Sequence, residues 1–310
     1  MLHVLVLGAA AGGGLPQWNC NCDICRAARL DRPALRSTQS SIAISADSEN
    51  WFLVNASPDL RQQIVDNRQL HPRHGLRHTP IAGVVLTNGD VDAVAGLLDL
   101  RESQAFTVYG HDRVLAVLRE NSIFNVLDPR LVNRQAVELE KPFALDLVDG
   151  TPSGIEVVAF ALPGKVALYL ENESAAGAGF GTKAGDTLGL HIRNRRNGAH
   201  FFYLAACAHV TPDLAKRVAG APLVFFDGTL WRDDEMIRAG LGTKTGQRMG
   251  HMSMSGRDGS VAALGPLGIG RKVFLHINNS NPALLPESPE RAELARAGWE
   301  IPADGTEIIL

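Results

Sequence analysis

Short apolar runs that lack polar alternation constrain the fold of this chain more than any other feature of its sequence. The run 223–226 is typical, and runs of this kind indicate strands that are covered on both faces. Several runs, separated by helical stretches, occur in each half of the chain, about residues 1–150 and 151–310. We therefore predict two β-sheets packed face to face with helices outside, in a single domain over residues 1–310.

The elements predicted from these patterns cover most of the chain. The predicted strands are 3–7, 41–45, 51–54, 83–86, 106–109, 154–160, 166–170, 188–192, 200–205, 223–226 and 272–277. The predicted helices are 22–28, 58–66, 91–100, 112–120, 212–218, 233–239, 260–264 and 289–297. Two of these helices begin with Pro212 and Pro289, behind Thr211 and Ser288 as N-caps.

Composition argues against two classes of partner. A net charge of −3 and a pI of about 6.4 create no basic field that would attract nucleic acid or an anionic membrane. No apolar run approaches the roughly 18 residues that a membrane span needs. The N-terminal stretch MLHVLVLGAAAGGG lacks the basic residues and cleavage site of a signal peptide, so the expected compartment is the cytoplasm.

Three of the four cysteines, Cys20, Cys22 and Cys25, are clustered with the spacing C-x-C-x-x-C. Three thiolates on a turn that leads into a helix can converge on one ion, and zinc accepts sulfur ligands in a tetrahedron. The fourth ligand must come from elsewhere in the chain, and closure by four protein ligands would make the site structural. The alternatives are buried structural cysteines or a redox pair of Cys22 and Cys25.

Acidic residues follow two of the predicted strands. Asp90 and Asp92 lie in a polar turn between a strand and a helix, where they either bind a divalent metal, act as a general base, or cap the helix. Asp227 stands at the exit of another apolar run, although Asp-Gly is also an ordinary turn signal.

Two histidines have a similar context. His276 ends an apolar run and precedes the amides Asn278, Asn279 and Asn281, and His251 lies in the motif MGHMS. A lone histidine is more often a structural residue than a ligand, but the acidic strand ends elsewhere in the chain make a ligand role for His276 as plausible as a structural one. A further cluster of histidines lies among arginines and prolines, which indicates a solvated loop; it contains His71, His74 and His78.

Together these motifs resemble the metallo-β-lactamase superfamily. Thr87, Asp92 and Gly96 match its first metal motif, T-H-x-H-x-D-H-x-x-G, and His276 fits its last metal-binding histidine. Three histidines of that motif are replaced, by Asn88, Asp90 and Ala93. The resemblance implies an α/β (α+β) fold, an αβ/βα four-layer sandwich of two packed mixed β-sheets flanked by helices.

Within the superfamily the chain is similar over nearly its whole length to a family that acts in pyrroloquinoline quinone (PQQ) biosynthesis. The segments that carry this similarity include GAAAGGGLPQWNCNCDIC, LTNGDVDAVAGLLDLRE, FFDGTLWRDDEM and HINNSNPAL. Members usually carry histidine where this chain has Ala93. The resemblance also implies that the zinc of the cysteine cluster is closed from the position of Asn279; the fourth ligand is Asn279, water or another residue.

The same resemblance implies an iron-dependent, O₂-using hydroxylase that oxidises the tyrosine ring of a cross-linked Glu–Tyr precursor. The alternatives are a carrier that moves PQQ or its precursor towards the periplasm, and a metal-dependent hydrolase, which the replaced histidines disfavour. The candidate protein partners are other PQQ-pathway proteins and a second copy of the chain in a homodimer.

The residues that fit this chemistry are few. For the active-site metal we expect Asp92 and His276, with Asp90 and His251 next and Asp227 as a ligand or an orienting group. Because the substrate is a polyanion, cations near the site should bind its carboxylates; the candidates are Arg248, Lys165, Lys244 and Arg232. Trp18 and Trp231 are predicted to belong to the core.

Overall fold

The computed structural model describes residues 1–172, 174 and 181–310, and it contains two seven-stranded β-sheets. The first sheet has the order β14-β1-β2-β3-β4-β5-β6 and the second the order β13-β12-β11-β10-β9-β8-β7. The strands are β1 His3–Gly8, β2 Ser41–Ser45, β3 Trp51–Val54, β4 Ile81–Val85, β5 Phe106–His111, β6 Val132–Val137, β7 Pro142–Asp146, β8 Pro152–Ala161, β9 Leu188–Asn194, β10 His200–Leu204, β11 Leu223–Asp227, β12 Arg271–Leu275, β13 Trp299–Glu300 and β14 Glu307–Ile309.

Both sheets are mixed, with a parallel region that extends from the middle strand of each sheet to one of its edges. Strands β3 to β6 are parallel neighbours in the first sheet, and β10 to β13 are parallel neighbours in the second. The sheets pack against each other through buried residues of both halves of the chain, such as Val4, Phe52, Leu190 and Phe225. The continuous apolar runs follow from this arrangement, because the opposite faces of the same strands are covered as well.

Helices cover the outer faces of the sheets and complete the predicted four-layer sandwich. They are α1 Asp23–Leu30, α2 Leu60–Asp66, α3 Val91–Val94, α4 Asp112–Glu120, α5 Pro212–Val218, α6 Glu235–Arg238, α7 Gly246–Met249, α8 Ser260–Leu264 and α9 Pro289–Arg296. Thr211 and Ser288 cap α5 and α9 as expected, each accepting a hydrogen bond from a backbone N–H three residues later. Among the described residues, none of the helices has the length and hydropathy of a membrane-spanning segment.

Two predicted elements differ from the observed ones, and the edge strands of both sheets, β6, β7, β13 and β14, were not predicted. The strand predicted at 166–170 is a loop with a 3₁₀ turn, Leu168–Leu170, whose apolar side chains are largely exposed. The predicted helix 91–100 ends after α3 and continues as the 3₁₀ segment Ala95–Leu100. Strands β6 and β7 escaped prediction because they lie at sheet edges and carry many exposed residues.

Gly96 explains the tight packing where the helical segment passes β3. Its N–H donates to Ala56 O at 2.9 Å, and a Cβ atom at this position would lie 2.1 Å from Ser57 O. Any side chain would therefore push the segment away from the sheet, so this position of the motif requires glycine.

Candidate metal centres

The candidate site residues lie where the carboxyl ends of β4, β11 and β12 meet at one edge of the sandwich. Parallel strands deliver their C-terminal loops to the same edge of a sheet. The two sheets are joined there by backbone hydrogen bonds, since Ile277 N donates to Ala9 O and Ala11 N donates to Ile277 O, both at 2.8 Å. This junction brings loops from opposite ends of the sequence into contact.

Asp92 and His276 face each other across the junction. Asp92 Oδ2 and His276 Nε2 are 2.8 Å apart although 184 positions separate them in sequence. Burial opposes the charge of both groups, but their mutual attraction outweighs it, so the pKa of Asp92 is lowered and the pKa of His276 is raised. His276 has a φ of 57°, a left-handed conformation that is rare for histidine and is often found at functional positions.

Asp227 is fully buried and its carboxylate is fully used in hydrogen bonds. Oδ1 accepts from Thr229 N at 3.0 Å and from Thr229 Oγ1 at 2.7 Å. Oδ2 accepts from Cys207 N at 2.8 Å and lies 2.6 Å from His251 Nδ1. Four contacts occupy roughly the four lone-pair positions of the carboxylate, which suits a group that orients His251. A carboxylate oxygen of Asp227 also lies within 4.8 Å of ring nitrogens of His251 and His276, so the same geometry fits a ligand role.

Thr229 connects both histidines, and sequence reasoning did not single it out. Its Oγ1 lies 3.1 Å from His251 Nδ1 and 2.9 Å from His276 Nδ1. With Nδ1 of each ring engaged on this side, Nε2 is the nitrogen of each ring that faces away from Thr229, and Nε2 of His276 is the atom that contacts Asp92. The two rings are stacked, with centroids 5.0 Å apart. The only sequence signal for Thr229 was its place after Asp-Gly at a strand end.

A cavity of about 640 Å³ opens above these groups. Its lining includes Asp90, Asp92, His251 and His276, so the structure brings all four of these predicted residues to one place. Asp90 does not touch the histidines; its Oδ1 accepts from Leu168 N at 3.2 Å. Burial and the neighbouring Asp92 carboxylate raise the pKa of Asp90.

The four candidate substrate-binding cations differ in their ion pairs and in whether they line the cavity. Lys165 lines the cavity and, together with Arg248, holds the carboxylate of Glu171, which is almost fully buried. The hydrogen bonds of Arg248 to Glu171 lower the pKa of Glu171 to about 2. Lys244 also lines the cavity and forms no ion pair with any residue that the structure describes.

Arg232 lies outside this group. It is exposed and does not line the cavity, because the preceding Trp231 points into the core and directs its neighbour towards solvent. Burial of Trp231 agrees with the prediction, whereas Trp18 is 85% exposed and its predicted core position is wrong. The predicted solvated loop is observed, since His71 and His74 are exposed.

The three clustered cysteines and Asn279 form a second candidate centre. The three Sγ atoms lie within 4.8 Å of one another, and Cys22 caps α1 by accepting from Cys25 N. The side-chain amide nitrogen of Asn279 lies 3.1 Å from Cys20 Sγ, 3.3 Å from Cys25 Sγ and 3.9 Å from Cys22 Sγ. Asn279 therefore lies against all three thiols, with its amide N–H groups as hydrogen-bond donors to the sulfur atoms.

Comparison with known proteins agrees with the observed fold and shows which family of the superfamily the chain resembles. The model of the beta-lactamase superfamily domain matches residues 50–277. Coenzyme PQQ synthesis protein B from Rhodopseudomonas palustris (strain TIE-1) is 62% identical over 311 residues, which cover 100% of both chains. The protein of the same name from Gluconacetobacter diazotrophicus is 55% identical over 309 residues, 99% of each chain.

Two solved structures illustrate the range of similarity. Zn(2+)-bound PqqB from Methylobacterium extorquens superposes with a TM-score of 0.93 at 50% identity, covering 99% of this chain and 100% of that one. A diphosphatase from the PhnP family reaches a TM-score of 0.68 at 18% identity, covering 100% of this chain and 98% of that one. The second likeness shows a shared fold alone.

The chain has the metallo-β-lactamase fold. Two mixed sheets face each other between outer helices, and a cluster of potential metal ligands lies at the carboxyl ends of their strands. The family within this fold can also be given, because the similarity extends over the full length of the chain and of its relatives. The chain belongs to the coenzyme PQQ synthesis protein B (PqqB) family.

Proposed function

We propose that this chain is an iron-dependent, O₂-using hydroxylase of PQQ biosynthesis that acts on the tyrosine ring of the cross-linked Glu–Tyr precursor. The observation that carries the proposal is the donor set at the cavity floor: Asp92, His251 and His276. Two histidines and one carboxylate with open positions are the ligands that non-haem Fe(II) oxygenases use. Among the described residues this is the centre that faces a cavity, which supports one reactive metal rather than a dinuclear hydrolase.

Bound iron would supply the redox chemistry that activates O₂. The residues of this chain hold and orient its ligands: Asp227 and Thr229 fix the imidazole of His251 through Nδ1, and Thr229 contacts His276 in the same way. An apolar wall of the cavity, formed by Leu168, Tyr169, Met236 and Met249, suits an aromatic ring and excludes water from it.

The polyanionic precursor requires positive charge in the same cavity. We propose that Lys244 binds a precursor carboxylate directly, because it lines the cavity without an acidic partner among the described residues. Lys165 and Arg248 already hold the carboxylate of Glu171, so we assign them no direct contact with the precursor. This division of roles follows from which cations are already neutralised.

We further propose that the cysteine centre holds a structural zinc. Tetrahedral bonds of about 2.3 Å place zinc-bound sulfur atoms roughly 3.8 Å apart, and the three Sγ atoms lie within 4.8 Å of one another. The 50% identical PqqB from Methylobacterium extorquens is described as zinc-bound, which agrees with this assignment. Closure by Asn279 would leave no open position, as a structural site requires, but it needs Oδ1 turned towards the ion in place of Nδ2, which now donates to Cys20 Sγ.

The proposed function is tested by O₂ consumption with the zinc-loaded chain, ferrous iron and the cross-linked precursor. We expect O₂ uptake that depends on both iron and precursor and yields a hydroxylated tyrosine ring. Stoichiometric binding of PQQ or the precursor with no uptake above the blank would instead favour a carrier and reject hydroxylation.

Replacing Lys244 by alanine should weaken precursor binding by about tenfold, because one charge-assisted hydrogen bond to a carboxylate is lost. Isothermal titration of the precursor into the protein measures the effect. Lys216→Ala is the matched control, since Lys216 lies in the last turn of α5, away from the cavity. Equal affinities of the two variants would remove Lys244 from the proposed binding site.

A further inference from the structure

A small chamber lies beside the Asp92–His276 pair, and these two residues line both the chamber and the larger cavity. It has a volume of about 10 Å³ for the centre of a water molecule, which corresponds to roughly one water. Its walls come from both sheets and include Ser40, Ala93, Asp92, Tyr203 and His276. Most of these side chains are polar, which is unusual for a space between two packed sheets.

Two hydroxyl groups in the wall of this chamber have no hydrogen-bond partner among the described protein atoms: Ser40 Oγ and Tyr203 Oη. Tyr203 is fully buried on β10, and Ser40 is 5% exposed just before β2. Burying a hydroxyl without a partner is costly, so native proteins pair such groups with protein or with ordered water. The two hydroxyls therefore indicate a bound polar species.

The other polar groups of the chamber are already paired. Asn55 Nδ2 donates to Thr87 Oγ1 at 2.9 Å, and Thr87 N donates to Asn55 Oδ1 at 2.9 Å. The carboxylate of Asp92 is the anionic group in the wall, and it offers acceptor positions besides its contact with His276. Burial raises the pKa of Tyr203 to about 12, so its hydroxyl is a neutral donor; the nearby Ser40 and Asn55 side chains lower the pKa, but neither meets Tyr203 Oη with the geometry of a hydrogen bond.

We propose that this chamber binds one water molecule, which joins the hydroxyls of Tyr203 and Ser40 to the carboxylate of Asp92. Water has the two donors and two acceptor positions that such a bridge requires, and bridging waters are nearly as favourable as direct hydrogen bonds. Tyr203 is then a positioning residue: through the water it holds the carboxylate of Asp92, which His276 contacts directly. The consequence for metal binding rests on the proposed function; the water site itself does not.

The water site is tested by crystal structures of the zinc-loaded chain and of Tyr203→Phe at a resolution that shows ordered water. We expect one density peak within hydrogen-bond distance of Tyr203 Oη and Ser40 Oγ, and its loss or displacement in Tyr203→Phe. Tyr109→Phe is the matched control, because Tyr109 is buried in the same core but its hydroxyl donates to Asp146 O. A chamber without density in the unmodified chain would overturn the proposal.

The positioning role is tested by Co²⁺ binding to the Asp92–His276 centre while the cysteine centre holds zinc, followed by the visible absorption of Co²⁺. We expect an affinity about tenfold lower in Tyr203→Phe and in Ser40→Ala, because loss of a group that orients a ligand typically weakens metal binding by this factor. Ser260→Ala, which removes another buried unpaired hydroxyl at the start of α8, should leave the affinity unchanged.

The outcomes separate the water site from the enzyme proposal. Density in the chamber with unchanged Co²⁺ affinity in both variants would reject the positioning role. Failure of O₂ uptake with density present would reject the hydroxylase and leave the water site intact. Ser40→Ala keeps the test decisive should Tyr203→Phe fold poorly.

Discussion

Replacing His276 by asparagine is expected to abolish metal binding at the cavity centre and to reduce O₂-dependent turnover at least about 100-fold. His276 contributes one of three proposed ligands, and loss of even a group that orients a ligand typically costs 10–100-fold in affinity or activity. Asparagine is the better replacement than alanine, because it adopts the left-handed conformation of residue 276 with little strain. Elemental analysis and O₂ uptake measure the two effects.

His209→Ala serves as the control for this experiment. His209 is exposed in the loop between β10 and α5, and it does not line the cavity. The His276 variant should keep about one zinc per chain at the cysteine centre, which shows that the fold survives. Retention of full iron content and turnover in His276→Asn would contradict the proposed ligand set.

Replacing Cys25 by serine is expected to remove the zinc from the cysteine centre and to lower the free energy of unfolding by about 4 kcal/mol or more. Structural zinc contributes its binding free energy to folding, and loss of a metal is among the few single changes with effects of this size. Cys25 is fully buried beside Asn279, so the remaining hydroxyl cannot be compensated by solvent. Zinc analysis and urea unfolding provide the measurements.

Cys207→Ser is the matched control because Cys207 is equally buried but lies apart from the cysteine cluster. It should retain its zinc and lose much less stability. The same destabilisation in both variants would show that the cost comes from burying a hydroxyl and not from loss of the ion.

Much of the fold was predictable because its strands carry local patterns. The strands predicted at 41–45 and 51–54 coincide with β2 and β3, and the helix predicted at 112–120 coincides with α4. These elements have apolar faces whose period is visible over a few residues. The resemblance to the superfamily supplied the four-layer arrangement, which the comparisons and the structure confirm.

The sequence prediction was wrong at several apolar residues that are exposed instead of buried in the core. Leu168 and Tyr169 look like part of a strand, yet they are 57% and 49% exposed and form a wall of the cavity. Trp18 is likewise exposed beside the cysteine centre. Hydrophobicity alone does not distinguish a core position from a ligand-facing one, since both favour the same side chains.

The sequence by itself determined the groups that act within a few residues of each other: the cysteine cluster, the acidic turn with Asp90 and Asp92, and the capped helices. Only the tertiary structure decided which distant groups meet. It placed His276 against Asp92, surrounded Asp227 with four contacts, neutralised Arg248 with Glu171, and left Tyr203 facing a chamber. Such contacts depend on how two twisted sheets pack, and short-range sequence patterns do not encode that geometry.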